Sequence, residues 1–346
     1  MSEPLQNEMR GDAGISDAAP QHGMAEQLER ANPTSDDTAI STADRDEATT
    51  AAIDGKGQKT KRTGRMQLYV RRFKRNKPAV AGLIIFVLLV LFAIFGPMIS
   101  PWNYMGDQDF TAIGEPPSSV HWFGTDWGGN DLFAQVAHGI GRSLVIALTV
   151  SFFQVLIAAF IGAWAAYAGG NAEKVVLAII HFLMAVPTFL LLALIGSKAG
   201  GDWKVLILVL IIFGWMYSSR VIWSLSTSIR EREFVTAAKY MGVRGPTLVF
   251  RHMIPNIGSL LVLQFTLGIV GVIMTETGLS FLGFGVQIPD VSLGVLLQDG
   301  VNNVVSAPWA FASAAIPLTL LTVSMALVND GLRDALDPNS AAGGKA

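Results

Sequence analysis

The histidines of this chain do not show the spacings that bind a metal or support nucleophilic catalysis. Five histidines are scattered along the 346 residues, and none forms an H-E-x-x-H motif. There is no cysteine, which excludes thiol catalysis and cysteine-ligated zinc. The sequence also lacks the G-x-x-x-x-G-K-[ST] loop that cradles a triphosphate. We therefore expect this chain to have no catalytic residue, to bind no metal or cofactor and to hydrolyse no ATP by itself.

Two ionisable residues, His181 and Glu276, fall well inside apolar segments. An intramembrane protease or transferase normally needs a dyad or a carboxylate pair at that depth, and these two form no recognisable set. We interpret Glu276, near one end of its segment, as a hydrated helix-end or structural group, with substrate binding as the alternative.

The most informative segment is a polar connection, SIREREFVTAAKYMGVRGPTLVFRHMIPN, at residues 228–256. Phe234, Ala238 and Met241 recur at i, i+4 and i+7, which predicts one face of a short amphipathic helix over residues 230–242. Gly242 stands where the end of a helix favours a residue that tolerates positive φ.

The second half of this segment predicts another short helix. Pro246 suits the first position of a helix, and Pro255 marks the entry to the next apolar run. Both helices should lie along the membrane face. Ala237 and Ala238 offer little apolar area to lipid, so they favour close approach by a protein partner, with an interfacial lipid-facing segment as the alternative.

The elements that position this segment are apolar helices. Of the whole chain, 51% is hydrophobic and only 15% is charged, which indicates the bilayer as its solvent. An uncharged run of about 20 residues spans the hydrocarbon core. The six predicted spans are residues 79–99, 143–168, 175–197, 203–222, 257–282 and 305–328. Six spans predict an all-α integral membrane protein with both termini on the same side.

The distribution of Lys and Arg gives the orientation, because these residues stay with cytoplasmic loops. Residues 56–77 and the 228–256 connection are rich in both, whereas residues 100–141 and 284–304 contain neither. The first two segments should therefore be cytoplasmic and the last two external. Both termini are predicted inside the cell, with the chain in the plasma or inner membrane.

The N-terminal segment differs from the rest of the chain. Residues 1–55 carry about a dozen acidic residues and almost no aromatic ones, so they cannot bury enough apolar surface to fold. We predict a disordered cytoplasmic tail over residues 1–64, a membrane domain over residues 65–338 and a short tail over residues 339–346. The basic run at residues 65–77 abuts a span, which favours anionic lipid over nucleic acid as its partner.

The 228–256 connection resembles the shared loop of permease subunits from binding-protein-dependent ABC importers, above all the dipeptide, oligopeptide and nickel group. In that loop Glu-Ala-Ala is followed by Gly and later by Ile-x-Leu-Pro. Here Thr236 to Ala238 stand at the Glu-Ala-Ala positions, Gly242 is in place, and His252 to Pro255 close the motif. Thr236 departs from the usual Glu, and the upstream Glu233 is a candidate replacement for its charge.

Three further stretches extend the resemblance over about residues 65 to 338. They are HWFGTDWGGND at 121–131, ETGLSFLGFGVQIP at 276–289 and NDGLRDALDP at 329–338. Asn130 and Gln135 replace arginines that are common in the family, and His181 stands where many relatives have Asp.

The resemblance implies the type I ABC importer permease fold, with six transmembrane helices and a cytoplasmic coupling-helix loop. It also implies the partners: a second, homologous permease forming a heterodimer, two ABC ATPase subunits that bind ATP and magnesium, and an external substrate-binding protein. The residues expected to dock on an ATPase are Glu233, Phe234, Thr236, Ala237, Ala238, Met241, Gly242, Arg251 and Pro255.

The function implied is half of the translocation pathway for di- or oligopeptides, with nickel complexes or other small solutes left open. Pro187 and Pro317, inside spans, are either plain helix kinks or residues of that pathway. Two other functions stay open from the sequence: an ion-coupled secondary transporter, and a membrane scaffold that transports nothing.

Overall fold

The computed structural model describes residues 65–100 and 108–337. These residues are mostly helical and include no strand, only an isolated bridge between Thr125 and Asp131. The prediction of an all-helical fold is confirmed. Both predicted tails lie outside the described residues.

Twelve labelled helices follow one another among the described residues. They are α1 Arg65–Arg75, α2 Lys77–Ile99, α3 Leu132–Ala168, α4 Gly170–Ala185, α5 Thr188–Lys198, α6 Trp203–Gly214, α7 Met216–Arg230, α8 Glu233–Tyr240, α9 Gly245–Leu248, α10 Gly258–Phe281, α11 Leu293–Asn302 and α12 Pro308–Leu336. A π-helical turn, Val249–Met253, and one more helical turn, Ile254–Asn256, join α9 to α10.

Among the described residues, five helices are long and apolar enough to cross a membrane: α2, α3, the continuous pair α6–α7, α10 and α12. A sixth crossing results if α4 and α5, which meet at a 68° bend, count as one broken span. Six spans agree with the number predicted from the sequence. Two helices extend beyond the runs predicted from the sequence: α3 already begins at Leu132, and α7 continues to Arg230.

Side-chain caps set where three of the spanning helices begin. Asn76 accepts the backbone N–H of Ala79, Asp131 accepts that of Phe133, and Asp202 accepts that of Lys204. Each cap satisfies a backbone donor that the first turn of a helix leaves unpaired. The N-terminal hydrogen bond to Asp131 explains why α3 starts well before the uncharged run that begins at residue 143.

The centre of the bundle is α3, which packs against α2, α6, α7, α10 and α12. Small residues allow its close approach to α7: an added Cβ at Gly162 would lie 2.6 Å from the carbonyl oxygen of Ser219 and 2.9 Å from the backbone nitrogen of Trp223. Helices in membranes associate largely through such backbone proximity. The α3–α7 contact therefore connects the centre of the bundle to the segment just before α8.

The two ends of the bundle differ. At one, called here the α8 end, Val235 and Ala238 of α8 pack in an apolar cluster with the last turns of α3 and with Met253. The other end is covered by residues 108–131 and 282–307, which we call the cap. The cap lies over the start of α3 and the end of α10. Phe123 in the cap packs against Leu132, and Ala307 belongs to the same cluster.

Candidate functional site

Helix α8 ends in a glycine-dependent stop. Gly242 has φ +79°, and the N–H groups of Gly242 and Val243 donate to the carbonyls of Lys239 and Ala238, both at 3.1 Å. These two bonds form a Schellman motif, and the apolar contact that accompanies it is supplied by Val243 and Ala238 in one cluster. The helix stop expected at Gly242 is present, although α8 is shorter than the predicted 230–242.

The two faces of α8 have distinct surroundings. Val235 and Ala238, three residues apart, are buried against the bundle, with 3% and 2% of their surface exposed. Phe234 and Met241 point away from the bundle and are exposed, as is Tyr240. The sequence placed Ala238 with Phe234 and Met241 on one face, and this placement is wrong. The small Ala238 is where α8 approaches its own bundle, so the outward face contains the larger apolar residues.

The other residues predicted for docking are exposed at the same end. Glu233 and Thr236 occupy i and i+3 on the outward side of α8, with Ala237 beside Thr236. Residues at this spacing are neighbours on a helix surface, so Glu233 lies next to Thr236 on the exposed side of α8. Arg251 and Pro255, in the turns before α10, are also exposed.

A polar cluster that the sequence analysis did not identify fixes the base of α8. Arg230, the last residue of α7, donates to the carbonyl of Ala166 at 2.7 Å and lies 3.5 Å from the carboxylate of Glu173. The indole of Trp223 donates to the same carboxylate at 2.7 Å. These contacts tie together the end of α3, the start of α4 and the end of α7. The available signal was a single acidic residue just after the Gly169–Gly170 turn, on a side otherwise rich in Lys and Arg.

A cavity of about 440 Å³ lies halfway along the spanning helices. Its lining comes from α3, α5, α6, α7 and α10: Gln154, Thr188, Leu192, Leu210, Phe213, Gly214, Tyr217, Ser218, Gln264, Leu267, Gly268, Gly271, Val272 and Thr275. None of these residues is charged. Gln154 and Gln264 were not among the residues predicted from the sequence, although an amide inside an apolar span is itself an unusual signal.

The two prolines singled out from the sequence lie in different settings. Pro187 stands at the bend between α4 and α5, and its neighbour Thr188 lines the 440 Å³ cavity. Pro317 lies within α12, which continues unbroken to Leu336. The structure thus places Pro187 beside the cavity and does not place Pro317 there.

Polar bonds hold the cap in place. Asp126 accepts the backbone N–H groups of Gly128 and Asn130, each at 2.8 Å, and the side-chain amide of Gln135 at 2.7 Å. The side-chain amide of Asn130 donates to the same carboxylate at 3.0 Å. Asn130 and Gln135 replace two arginines of the resembled family, and both bind this aspartate with neutral amides.

Glu276 joins the cap to the bundle. It is 1% exposed, and the hydroxyls of Ser143 and Ser280 donate to its carboxylate at 3.2 and 2.7 Å. The same two hydroxyl oxygens accept the backbone N–H groups of Leu293 and Val286 at 3.3 and 3.1 Å. Glu276 is therefore a buried structural group. Of the two roles expected from the sequence, a structural group agrees with this geometry and a hydrated helix end does not, because the cap covers the end of α10.

A cleft of about 210 Å³ lies at the cap end, with Asp126, Asp290 and Asp299 among its lining residues. Asp290 pairs with Arg142 at 2.6 Å. Burial raises the pKa of Asp299, and the negative charge of Asp126 raises it further. Within the described residues, no group of three His, Asp or Glu side chains is arranged to hold a metal ion.

Comparison with known protein families identifies the chain. Residues 154–341 match the family described as the inner membrane component of binding-protein-dependent transport systems, and this match covers more than half of the chain. The chain belongs to this family of transport permeases. Residues 64–117 of the permease also match the N-terminal transmembrane domain of oligopeptide transport permease C. The resemblance found in the 228–256 loop is thereby confirmed.

Individual relatives cover most of the permease. The oligopeptide transport system permease protein OppC of Mycobacterium tuberculosis (strain ATCC 25618 / H37Rv) is 42% identical over 81% of this chain and 97% of its own length. The dipeptide transport system permease protein DppC of Bacillus subtilis (strain 168) is 34% identical over 78% of this chain and 84% of its own. OppC of Haemophilus influenzae is 33% identical over 78% of this chain and 86% of its own length.

The cluster around Arg230 gives a prediction for the permease. Arg230→Ala should lower the free energy of unfolding by about 1–3 kcal/mol, because the carbonyl of Ala166 and the carboxylate of Glu173 lose a charged donor in a partly buried site. The measurement is thermal unfolding of the purified permease in detergent. The control is Lys239→Ala, which removes an exposed basic residue of α8 and should leave stability unchanged. Equal stability in both variants would contradict a structural role for Arg230.

Proposed function

We propose that this permease forms half of the translocation pathway of an ATP-driven peptide importer. The observation that carries the proposal is the 42% identity to a mycobacterial OppC over 97% of that protein's length, since a match of that extent leaves no room for a different architecture. Relatives named for oligopeptide and for dipeptide transport both match, which favours di- or oligopeptides as the substrate class.

In this proposal the permease catalyses no reaction, and ATP with its magnesium is bound by two separate ATPase subunits. The outward face of α8, with Phe234, Tyr240 and Met241 exposed, is the docking element. Its apolar side chains would fill a groove on an ATPase, in the way that an amphipathic helix binds a partner. Support comes from α8 being tied to the bundle through Val235 and Ala238, so that a push on α8 is passed to the spanning helices.

The remaining proposed partners are a second, homologous permease and an extracytoplasmic binding protein. A heterodimer is proposed because a central pathway needs walls on both sides, and the 440 Å³ cavity of this chain supplies one wall. The binding protein would deliver peptide at the cap, the end of the bundle opposite α8. Closure of the ATPases would then rock the two permeases between inward-open and outward-open states.

The proposed orientation puts both termini and α8 in the cytoplasm and the cap outside, and cysteine labelling tests it. Because the chain has no cysteine, single substitutions can be probed without background from this protein. Val120→Cys, in the cap, should react with a membrane-impermeant maleimide on intact cells. Asn171→Cys, exposed in the first turn of α4, should react only after permeabilisation. Labelling of both in intact cells would overturn the six-span topology.

The experiment that tests the function is peptide uptake by proteoliposomes containing the permease with its partner subunits. Uptake of a tripeptide should require internal ATP and the loaded binding protein. An ion-coupled secondary transporter would instead respond to an imposed ion gradient without ATPase subunits. A scaffold would support no uptake in either condition. Uptake of nickel chelates but not of peptide would show that nickel complexes, and not peptides, are the substrate class.

A further inference from the structure

The 440 Å³ cavity is polar without being charged. Its amides and hydroxyls come from Gln154, Thr188, Tyr217, Ser218, Gln264 and Thr275, and the rest of the lining is apolar or glycine. Its volume falls in the range of ordinary ligand pockets. Polar groups at this depth are costly in a membrane helix unless they are paired or serve a function.

Two of these polar groups already have partners inside the chain. The Gln154 amide donates to the carbonyl of Leu210 at 2.8 Å, and the Thr275 hydroxyl donates to the carbonyl of Gly271 at 2.8 Å. Gln264 differs. It is 8% exposed, and its side-chain nitrogen is buried without a hydrogen-bond partner. A buried donor in this state is destabilising, so each one calls for an explanation.

We propose that this cavity is a subsite for the peptide backbone and that Gln264 donates a hydrogen bond to a carbonyl of the peptide in transit. The proposal rests on the proposed function. A peptide carbonyl leaving water needs a replacement donor, and every peptide presents such carbonyls whatever its side chains. Because the lining is uncharged, the subsite offers no counter-charge and does not distinguish a positive from a negative side chain of the substrate.

One glycine of the cavity fits this assignment. Gly271 leaves the α10 wall low beside Leu267, and a Cβ added at Gly271 would meet open space. Close approach of one backbone to another is a frequent reason for glycine in a wall. A peptide main chain can therefore lie along α10, and a turn of the unpaired Gln264 amide about its broad terminal torsion would bring the buried nitrogen to a peptide carbonyl.

The test uses the whole transporter in proteoliposomes, with three probes: Ala-Ala-Ala, Ala-Lys-Ala and Ala-Glu-Ala. Gln264→Leu should lower uptake of all three by about fivefold, the effect of one lost hydrogen bond, and to a similar extent for each. Stimulation of ATP hydrolysis by the binding protein should persist. The control is Met274→Leu, on the exposed side of α10 and outside the cavity, which should transport like the wild type.

A second variant covers the case in which Gln264→Leu assembles poorly. Gln264→Glu keeps the shape and adds a negative charge, so it should shift the ratio of Ala-Lys-Ala to Ala-Glu-Ala uptake by about tenfold toward the lysine peptide. An unchanged ratio would overturn the proposal, as would wild-type uptake by Gln264→Leu or a loss confined to one peptide. Absence of uptake of every probe by the wild type would instead refute the proposed peptide function itself.

Discussion

Gly242→Val should reduce peptide uptake by at least tenfold while leaving the permease inserted in the membrane. Gly242 has φ +79°, which costs a β-branched residue about 1–2 kcal/mol or more. An added Cβ would meet no atom within 4 Å, so the penalty comes from the backbone alone. The backbone strain at residue 242 is relieved only if α8 continues past its stop. This breaks the hydrogen bonds that the N–H groups of residues 242 and 243 donate, and it reorients Tyr240 and Met241.

Two matched variants isolate this effect. Gly242→Asn should keep most of the activity, because asparagine tolerates the left-handed conformation. Gly258→Val adds the same side chain at another glycine with open space but without positive φ, and it should stay active. The measurements are co-purification of the ATPase subunits, ATP hydrolysis stimulated by the binding protein, and uptake. If Gly242→Val retains all three, then α8 does not dock the ATPases in the way proposed here.

Gly162→Val should produce the largest loss of stability among the substitutions considered, about 3 kcal/mol. An added Cβ would lie 2.6 Å from the carbonyl oxygen of Ser219 and 2.9 Å from the nitrogen of Trp223. Both are backbone atoms of α7, so no side-chain rotation relieves the contact. The helices must separate, and the cavity left between them adds to the cost.

Thermal unfolding in detergent, followed by size-exclusion chromatography, measures this loss. Gly141→Val, in the same helix, is the control, since its nearest contact is Ala93 at an ordinary 3.8 Å. Separation of α3 from α7 should also pull Arg230 away from the Ala166 carbonyl. Transporters assembled with the surviving Gly162→Val permease should therefore hydrolyse ATP at their ATPase subunits without transporting peptide. Equal melting temperatures for the two valine variants would show that the close approach of α3 to α7 does not determine the stability of the permease.

Hydropathy predicted the number of spans and the helical fold, because long uncharged runs have few other solutions. It was less informative about where helices end. Arg142 and the polar residues before it were left out of the predicted span at residues 143–168. In the structure they belong to α3, whose first turn is closed by the side chain of Asp131, and Arg142 pairs with Asp290 of the cap. Such pairs depend on a partner 148 residues away in sequence, which periodicity cannot predict.

The candidate site was predicted in part. The positive-φ stop at Gly242 follows from residue type alone, whereas the inward face of an eight-residue helix does not. Phe234, Ala238 and Met241 share a helical spacing, but the surface beneath α8 accepts only the small Ala238 with Val235. The unpaired amide of Gln264 was equally hidden, since a partner is found or lacking only after the helices pack.

The network around Glu276 has a consequence for protein engineering. Because the carboxylate is joined through Ser143 and Ser280 to the backbone groups of Val286 and Leu293 in the cap, the cap is not an exchangeable module. A chimaera that borrows its outer loops from another importer, in order to accept that importer's receptor, would need all three side chains to be transplanted or retained together. Grafting boundaries placed within the spans, below these residues, are therefore safer than boundaries drawn at the ends of the apolar runs.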